Sequence, residues 1–370
     1  VLLDATAIPP DRGGVGRYVD ALVPELVATG VDLVVACQAA DAGAMADLAP
    51  GAEVVPAPGA AARRPVRLAW EQVGLPRLAR RTRADVLHSP HYTMPAAAGV
   101  PVVVTLHDAT FFSHPDLHSP LKARFFRAAT RVAVRRAAAL VVPSAATRDE
   151  VVRLAGGRAD QFQVAHHGVD PTVFRPVDGA ERERVRASLG LTGEYVAFLG
   201  TLEPRKNVPA LVRAWASVAA DADRPPALVL AGGRGWDTQV DPAVAAVPHG
   251  LTVLRPGYLP LEDLAGFLSG AAVLAYPSLG EGFGLPVLEA MACGAAVLTT
   301  RELSLPEVGG DAVAYCGTDE GSIAHELSAL LADPARRADL AAAAQRRAAS
   351  FTWAAAAAAH VRAYEAAARR

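Results

Sequence analysis

Tyr276-Pro277-Ser278-Leu279-Gly280-Glu281-Gly282-Phe283-Gly284-Leu285-Pro286-Val287-Leu288-Glu289-Ala290-Met291-Ala292-Cys293-Gly294 is the stretch that decides the architecture of this chain. An apolar strand ends at Tyr276, a glycine-rich loop follows, and a helix starts through Pro286, which suits a first helical turn. Amides over residues 283–287 would then face a bound anion. Glu281 falls in the loop, and Glu289 falls one helical turn inside a face that is otherwise apolar. A capping role accounts for Glu281 but not for Glu289. Carboxylates are strong acceptors for vicinal hydroxyls, so the pair could grip two polyols at either end of one phosphate-containing ligand.

Strand, loop and helix alternate outward from this block in both directions. Short apolar runs at residues 195–199, 227–230, 251–254, 273–276, 296–298 and 313–315 predict strands in the second half. Residues 1–5, 32–37, 53–55, 85–88, 102–106, 140–142 and 162–165 predict seven in the first. Amphipathic stretches such as 16–28 and 119–138 lie between them, the alternation of doubly wound parallel sheets. A length of 370 residues makes two such domains the expectation. The join is expected at Gly168-Val169-Asp170-Pro171, which punctuates the chain before the charged helix 181–188. The expected domains are therefore 1–172 and 173–350, followed by a terminal helix from residue 351 to 370, alanine-rich and introduced by Phe351 and Trp353.

Composition narrows the function classes. The chain is 52% apolar and 20% charged with a net charge of −2, so it folds around large cores and is no polycation that wraps nucleic acid. Cys37, Cys293 and Cys316 lie too far apart to suggest a zinc site or a disulfide framework, and a reducing compartment fits. His88, His91 and His114 lack the helical spacing of a zinc protease, so no metal site is expected. Residues 1–8 have no basic leader, and no apolar run reaches the ~18 residues of a membrane span. The expectation is a cytoplasmic protein whose sequence opens inside a strand, a few residues after its natural start.

Three further loops follow strands, where open α/β sheets bind ligands. Asp11-Arg12-Gly13-Gly14-Val15-Gly16-Arg17-Tyr18 would let backbone amides approach an anion, although its spacing matches neither the dinucleotide fingerprint nor a Walker A loop, and a simple tight turn is the alternative. His107 and Asp108 emerge from a nearly continuous apolar strand, which suits a hydrogen-bond partner or proton carrier. Gly200-Thr201-Leu202-Glu203-Pro204-Arg205-Lys206-Asn207 follows the first strand of the second domain. The chain has two lysines, Lys122 and Lys206, against 34 arginines, so a lysine beside Arg205 departs from its habit. Arg205 as a planar fork and Lys206 as a compact point charge are complementary holds on a diphosphate. Asn207 suits an N-cap there, with Pro209 in the first turn.

The Glu281-x7-Glu289 pair around Gly-Phe-Gly-Leu-Pro, together with Arg205-Lys206-Asn207, Gly13–Tyr18 and Gly168-Val169-Asp170 ahead of Phe174, resembles the retaining, nucleotide-sugar-dependent glycosyltransferases of family four. The resemblance covers nearly the whole chain. It implies the glycosyltransferase-B fold: two Rossmann-like domains facing a central cleft, with the last helix crossing back onto the first. By the same resemblance the first domain takes the acceptor and the second the donor. Arg205 and Lys206 would bind the donor's diphosphate, Glu289 the ribose, and Glu281 the transferred sugar. Phe283, Gly284 and Leu285 would complete the cradle with Gly200 and Thr201, while His107 looks in from the acceptor domain together with Gly14 and Gly16, which would also bind the donor. His107, Arg205, Lys206 and Glu281 are thus the expected catalytic group.

The implied reaction moves a hexose, mannose or glucose type, from GDP-mannose or a UDP-sugar onto a saccharide or lipid-linked acceptor. Retention by front-face substitution follows from the resemblance, as does the absence of a metal or other cofactor. A nucleotide-sugar 2-epimerase of the same fold and a non-catalytic nucleotide-sugar-binding scaffold are the alternatives. Lys122, Arg124, Arg127, Arg131 and Arg135 lie on one candidate helix without an acid, with Phe125, Ala129, Val132 and Ala133 able to face the core. That helix could rest on the inner face of an anionic membrane, with residues 63–83 as a second basic stretch, although a solvated face has the same pattern. No nucleic-acid partner is expected.

Overall fold

A computed structural model describes residues 1–8 and 12–370; Asp11 of the amino-terminal glycine loop lies outside the described residues. The chain forms two compact units, Val1–Gly168 with Thr352–Arg370, and Val169–Phe351. Strands β1 (Leu2–Asp4), β2 (Val34–Cys37), β3 (Glu53–Pro56), β4 (Leu87–Ser89), β5 (Val102–Thr105), β6 (Ala139–Val142) and β7 (Phe162–Val164) belong to the first unit. Strands β8 (Tyr195–Leu199), β9 (Ala227–Ala231), β10 (Val253–Gly257), β11 (Val273–Tyr276), β12 (Val297–Thr300) and β13 (Ala314–Cys316) belong to the second.

The first sheet runs β3-β2-β1-β4-β5-β6-β7 and the second β10-β9-β8-β11-β12-β13. Every pairing is parallel. Most inner strands are buried along their whole length, as expected where helices cover both faces of a parallel sheet. Strand order reverses between β1 and β4 in one unit and between β8 and β11 in the other. Beyond the carboxyl ends of strands at such a reversal lies the crevice in which open sheets bind ligands. The glycine loops of the sequence analysis follow β1, β8 and β11.

β10 starts two residues later than its apolar run and continues through Arg255-Pro256. Proline lacks a ladder donor, which argues for a stop, but β10 is an edge strand and tolerates it. The Pro120–Arg136 helix also departs from its expected face. Ala123, Phe126, Thr130, Ala133 and Val134 are buried, whereas Val132 is 39% exposed and Phe125 only half-buried. Phe126 stacks on Phe111 with centroids 4.6 Å apart, and that partner from a preceding helix turns the face by about one residue.

The chain leaves the first unit after Gly168 and re-enters it at Thr352. Phe351 stays with the second unit because its carbonyl accepts from Val169 N at 3.1 Å and its ring meets Phe283 edge-on at 5.8 Å. Gly168 is needed where the returning chain passes, since a Cβ there would lie 2.1 Å from Trp353 N. The final helix, Trp353–Ala368, starts under Thr352, whose Oγ1 accepts from Ala355 N at 3.1 Å.

A buried chain of hydrogen bonds fastens this helix. His360 Nδ1 lies 2.7 Å from the Ala356 carbonyl and must donate, which leaves Nε2 to accept from the Tyr18 hydroxyl at 2.6 Å. Tyr18 then accepts from Thr105 Oγ1 at 3.1 Å, and Thr105 from His88 Nε2 at 2.8 Å. His88 Nδ1 accepts from the Tyr364 hydroxyl at 2.9 Å. Each bond dictates the direction of the next. Burial keeps both histidines neutral, lowering His88 well below its ordinary range and His360 to about 4.

Candidate functional site

In the second unit the loop after β8 tightens into a short helical turn, Pro204–Lys206, which directs Arg205 and Lys206 toward the loop after β11. Glu281 meets both. Its Oε2 pairs with Arg205 Nη1, and its Oε1 lies 2.7 Å from Lys206 Nζ, 2.7 Å from Ser278 Oγ and 3.0 Å from the Tyr276 hydroxyl. Lys206 Nζ also donates to the Tyr276 hydroxyl, and Arg205 Nη1 to the Gly280 carbonyl at 2.7 Å. Lys206 and Glu281 are 8% and 6% exposed, so this is a buried charge cluster.

Burial alone would raise the Glu281 carboxyl, but the adjacent Arg205 and Lys206 outweigh it and hold it at about 2. Burial, with the Arg205 charge beside it, lowers Lys206 against the pull of Glu281. Fixed cations of this kind, held in place before any ligand arrives, are suited to stabilise charge on a leaving diphosphate.

The helix after the glycine loop spans Leu285–Ala292, with Gly284 left-handed (φ +101°) at its cap and Pro in the first turn. Val287 N is taken by the Gly284 carbonyl at 3.0 Å and is not available to an anion, so the cradle expected over 283–287 is shorter. Glu289 lies in this helix, 2% exposed, beside the buried Leu288 and Ala290. Asn207 does not cap through its side chain. It is left-handed (φ +58°), a conformation Asn tolerates, and its Nδ2 donates to the Thr318 carbonyl at 2.8 Å. Gly200 and Thr201 lead from β8 into the same loop, and Gly200 is packed so that a Cβ on Gly232 would lie 2.2 Å from its carbonyl oxygen.

In the first unit the Gly14–Ala28 helix opens at Gly14 with Gly13 as its cap. Among the described residues no atom would lie within 4 Å of a Cβ on Gly14, whereas one on Gly16 would lie 3.1 Å from Ile8. Gly14 is therefore at the helix start and Gly16 at a close approach. His107, two residues past β5, donates from Nε2 to the Pro90 carbonyl at 2.7 Å, which leaves Nδ1 as the acceptor. Burial lowers its pKa, against the Pro90 bond and Asp108. Asp108 is turned away to Thr110, whose N and Oγ1 lie 3.0 and 2.8 Å from its Oδ1.

The structure thus gathers Gly200, Thr201, Arg205, Lys206, Glu281, Phe283, Gly284, Leu285 and Glu289 around one strand-order reversal, and Gly14, Gly16 and His107 in the other unit. Sequence reasoning missed Tyr276 and Ser278 as partners of Glu281, although both stand in the quoted block. It also missed Ser304, whose Oγ lies 2.7 Å from the Glu281 carbonyl and 2.9 Å from that of Phe283, pinning the glycine loop. No local signal points to a serine so far downstream. Among the described residues no group of three or more His, Cys, Asp or Glu is placed to hold a metal ion.

Solved structures place this architecture among proteins of the glycosyltransferase-B class. Anabaena HepE, solved in complex with UDP-glucose, matches with a TM-score of 0.75 at 18% identity over 98% of both chains. Sucrose-phosphate synthase from Thermosynechococcus elongatus matches with 0.76 at 21% over 98% of both. In sequence, residues 12–173 match Glycosyltransferase Family 4 and residues 181–347 match Glycosyl transferases group 1. D-inositol 3-phosphate glycosyltransferase of Arthrobacter sp. (strain FB24) is 31% identical over 96% of this chain and 91% of its own length. O-antigen chain mannosyltransferase B of Escherichia coli is 32% identical over 67% of this chain, and the aligned stretch spans 66% of that protein. The chain belongs to this family of glycosyltransferases.

Proposed function

We propose that the protein transfers a hexose from a nucleoside-diphosphate sugar to a saccharide or lipid-linked acceptor, with retention at the anomeric carbon and without a metal. The observation that carries this reading is the buried Arg205–Lys206–Glu281 cluster at a strand-order reversal, one loop from Glu289. Breaking the anomeric C–O bond leaves negative charge on the diphosphate and oxocarbenium character on the sugar. Arg205 and Lys206 stabilise the former, and the amides of Gly284 and Leu285 at the helix start add to them. Glu289 accepts from the ribose hydroxyls, and Glu281 accepts from the sugar while holding both cations in place. No carboxylate stands as an obvious nucleophile, so the leaving phosphate takes the acceptor's proton on the same face as the attack. His107, with an accepting Nδ1, serves the acceptor, and Gly14 and Gly16 of the same unit contribute to donor binding.

Mannose is the first sugar to test, because relatives carry mannosyltransferase names. Among the described residues no helix is long and apolar enough to cross a membrane, and a peripheral position at the cytoplasmic face is the reading for a lipid-linked acceptor. Leu121 is 80% exposed beside Lys122, with Arg124 and Arg135 exposed on the same helix. Arg127 supports that contact less, since its Nε is held by the Phe111 carbonyl at 2.6 Å; Arg131 lies over the Phe112 ring at 5.1 Å.

The test is turnover of GDP-mannose and of UDP-hexoses in chelator, with the anomeric configuration of the product read by proton NMR. Transfer with an α-linked product from an α-donor is expected, unchanged by chelation. An inverted product overturns the front-face step. A new epimer with an unchanged acceptor favours the epimerase, and nucleotide-sugar binding without any turnover favours the scaffold.

A further inference from the structure

Three hydroxyls from β12 and the turn after it run alongside the glycine loop. Thr299 Oγ1 donates to the Tyr276 carbonyl at 2.8 Å and Thr300 Oγ1 to that of Ser278 at 2.6 Å. Ser304 Oγ stands 2.7 and 2.9 Å from the carbonyls of Glu281 and Phe283, so its one proton is shared across Gly282. All three residues are at most 1% exposed. The carbonyls of Tyr276, Ser278, Glu281 and Phe283 are thus held by a neighbouring segment rather than by the loop itself.

Satisfying a buried carbonyl accounts for each bond taken singly. It does not account for the turn that delivers Ser304. Leu303 is left-handed (φ +51°), a conformation costly for a residue with a Cβ. In this unit the other described non-glycine residue with a positive φ is Asn207, directly after Lys206. Leu305, on the other side of Ser304, is fully buried, and its Cδ2 would lie 2.9 Å from a Cβ on Gly284. Three consecutive residues therefore carry strain, pin the Glu281 and Phe283 carbonyls, and close on the glycine that caps the Leu285–Ala292 helix. Strain of this kind persists only where the surroundings over-determine it, and it clusters at active sites and ligand clamps. What the turn fixes is the backbone at Glu281, whose carboxylate is shared by Arg205 and Lys206.

We propose, resting on the hexose-transfer reading above, that Thr300 and Ser304 are positioning residues for the reaction. Both are buried, so they act through the loop rather than on the donor. By holding its carbonyls they keep the Glu281 carboxylate aimed at Arg205, Lys206 and the transferred sugar before the donor arrives. A site preset in this way has no reorganisation to do while charge separates.

Two measurements on the full chain test this. The first is acetylation by an N-hydroxysuccinimide ester, read by mass spectrometry. The chain has two lysines: Lys122 is exposed and serves as the internal reference, and Lys206 is buried against Glu281. The second is kcat and KM for turnover of GDP-mannose and UDP-glucose. Thr300→Val keeps the shape and removes the hydroxyl, Ser304→Ala removes the second hydroxyl, and Thr300→Ser retains the first. The two losses break separate bonds, so one stays informative if the other variant no longer melts cooperatively. Ser269→Ala is the matched control, because its Oγ donates to the Cys293 carbonyl at 2.9 Å at the far end of the same helix.

In T300V and S304A the ratio of Lys206 to Lys122 labelling is expected to rise about tenfold or more, and kcat to fall about tenfold or more, with a smaller change in KM. T300S and S269A are expected to match wild type in both readings. Unchanged labelling and kcat in T300V and S304A, or an equal response in S269A, overturns the proposal and leaves the transfer reading standing. Raised labelling with kcat unchanged also overturns it, since the loop then moves without consequence for turnover. Raised labelling in both variants, where wild type neither turns over these sugar nucleotides nor has Lys206 protected by them, supports the hold on Glu281 and counts against the transfer reading.

Discussion

The two units bury polar groups in opposite ways. The second unit closes an ionised knot, in which Glu281 is held by Arg205 and Lys206 at the end where a ligand would arrive. The first closes a neutral chain, Tyr364–His88–Thr105–Tyr18–His360, whose members carry no net charge and whose proton positions are fixed by one carbonyl. Buried ion pairs repay their desolvation only with good geometry, and they leave strong fields behind. A neutral network leaves little field and specifies one packing arrangement. Catalysis of a charge-separating step calls for the first kind, and fastening a terminal helix calls for the second.

Breaking the knot has the largest expected effect. Glu281→Ala leaves the buried Lys206 without its carboxylate and Arg205 with Glu203 at 3.5 Å, and is expected to cost about 3–5 kcal/mol. Urea denaturation reads the loss, and pyrophosphate restores part of it by replacing the missing anion. An unchanged midpoint would mean that the pairs carry no weight.

The two regions also separate on a pH axis. His360 is lowered from its ordinary 6.5 to about 4, so its contribution to stability is complete above 6.5 and is lost as pH falls through 4. That difference corresponds to about 3 kcal/mol. Glu281 is lowered from 4.5 to about 2, so its contribution holds above 4.5 and fades only as pH falls through 2. Hydrogen exchange near pH 4 is expected to loosen the Trp353–Ala368 helix while the second unit stays protected. Simultaneous loss in both units would merge the two regions into one titrating system.

In the proposed reaction Lys206→Met removes one cation from the leaving group and is expected to lower kcat about 10²-fold with a smaller change in KM. A rise in KM with kcat unchanged would make Lys206 a binding residue only. The smallest effect belongs to Thr352→Ala, where loss of the cap costs about 1 kcal/mol. It should appear as faster exchange at the start of the last helix, with the knot unaffected.

Much of this was legible beforehand for a definite reason. β8 and β11 coincide with their apolar runs because both are fully buried and bounded by turn residues. Less regular cases came out displaced. β10 continues through Pro256 because it sits at an edge, and the Pro120–Arg136 helix is turned by the Phe126–Phe111 stack. In the site, the contrast between Lys206 and the chain's arginine habit drew attention to the lysine that the structure buries against Glu281. Its grip on Tyr276 and Glu281 did not show in any spacing.

The sequence by itself determined the strand and helix alternation, the two units, and the residue types at the ends of β8 and β11, because hydrophobic period and turn chemistry are properties of near neighbours. Only the tertiary structure decided that Glu281 is shared by Arg205, Lys206, Ser278 and Tyr276, and that Ser304 pins its loop. It also decided that His88 and His360, 272 positions apart, belong to one hydrogen-bonded chain fixed in direction by the Ala356 carbonyl. Such pairings depend on strand order and on which buried polar atoms must find partners, and both emerge only when the sheets are assembled.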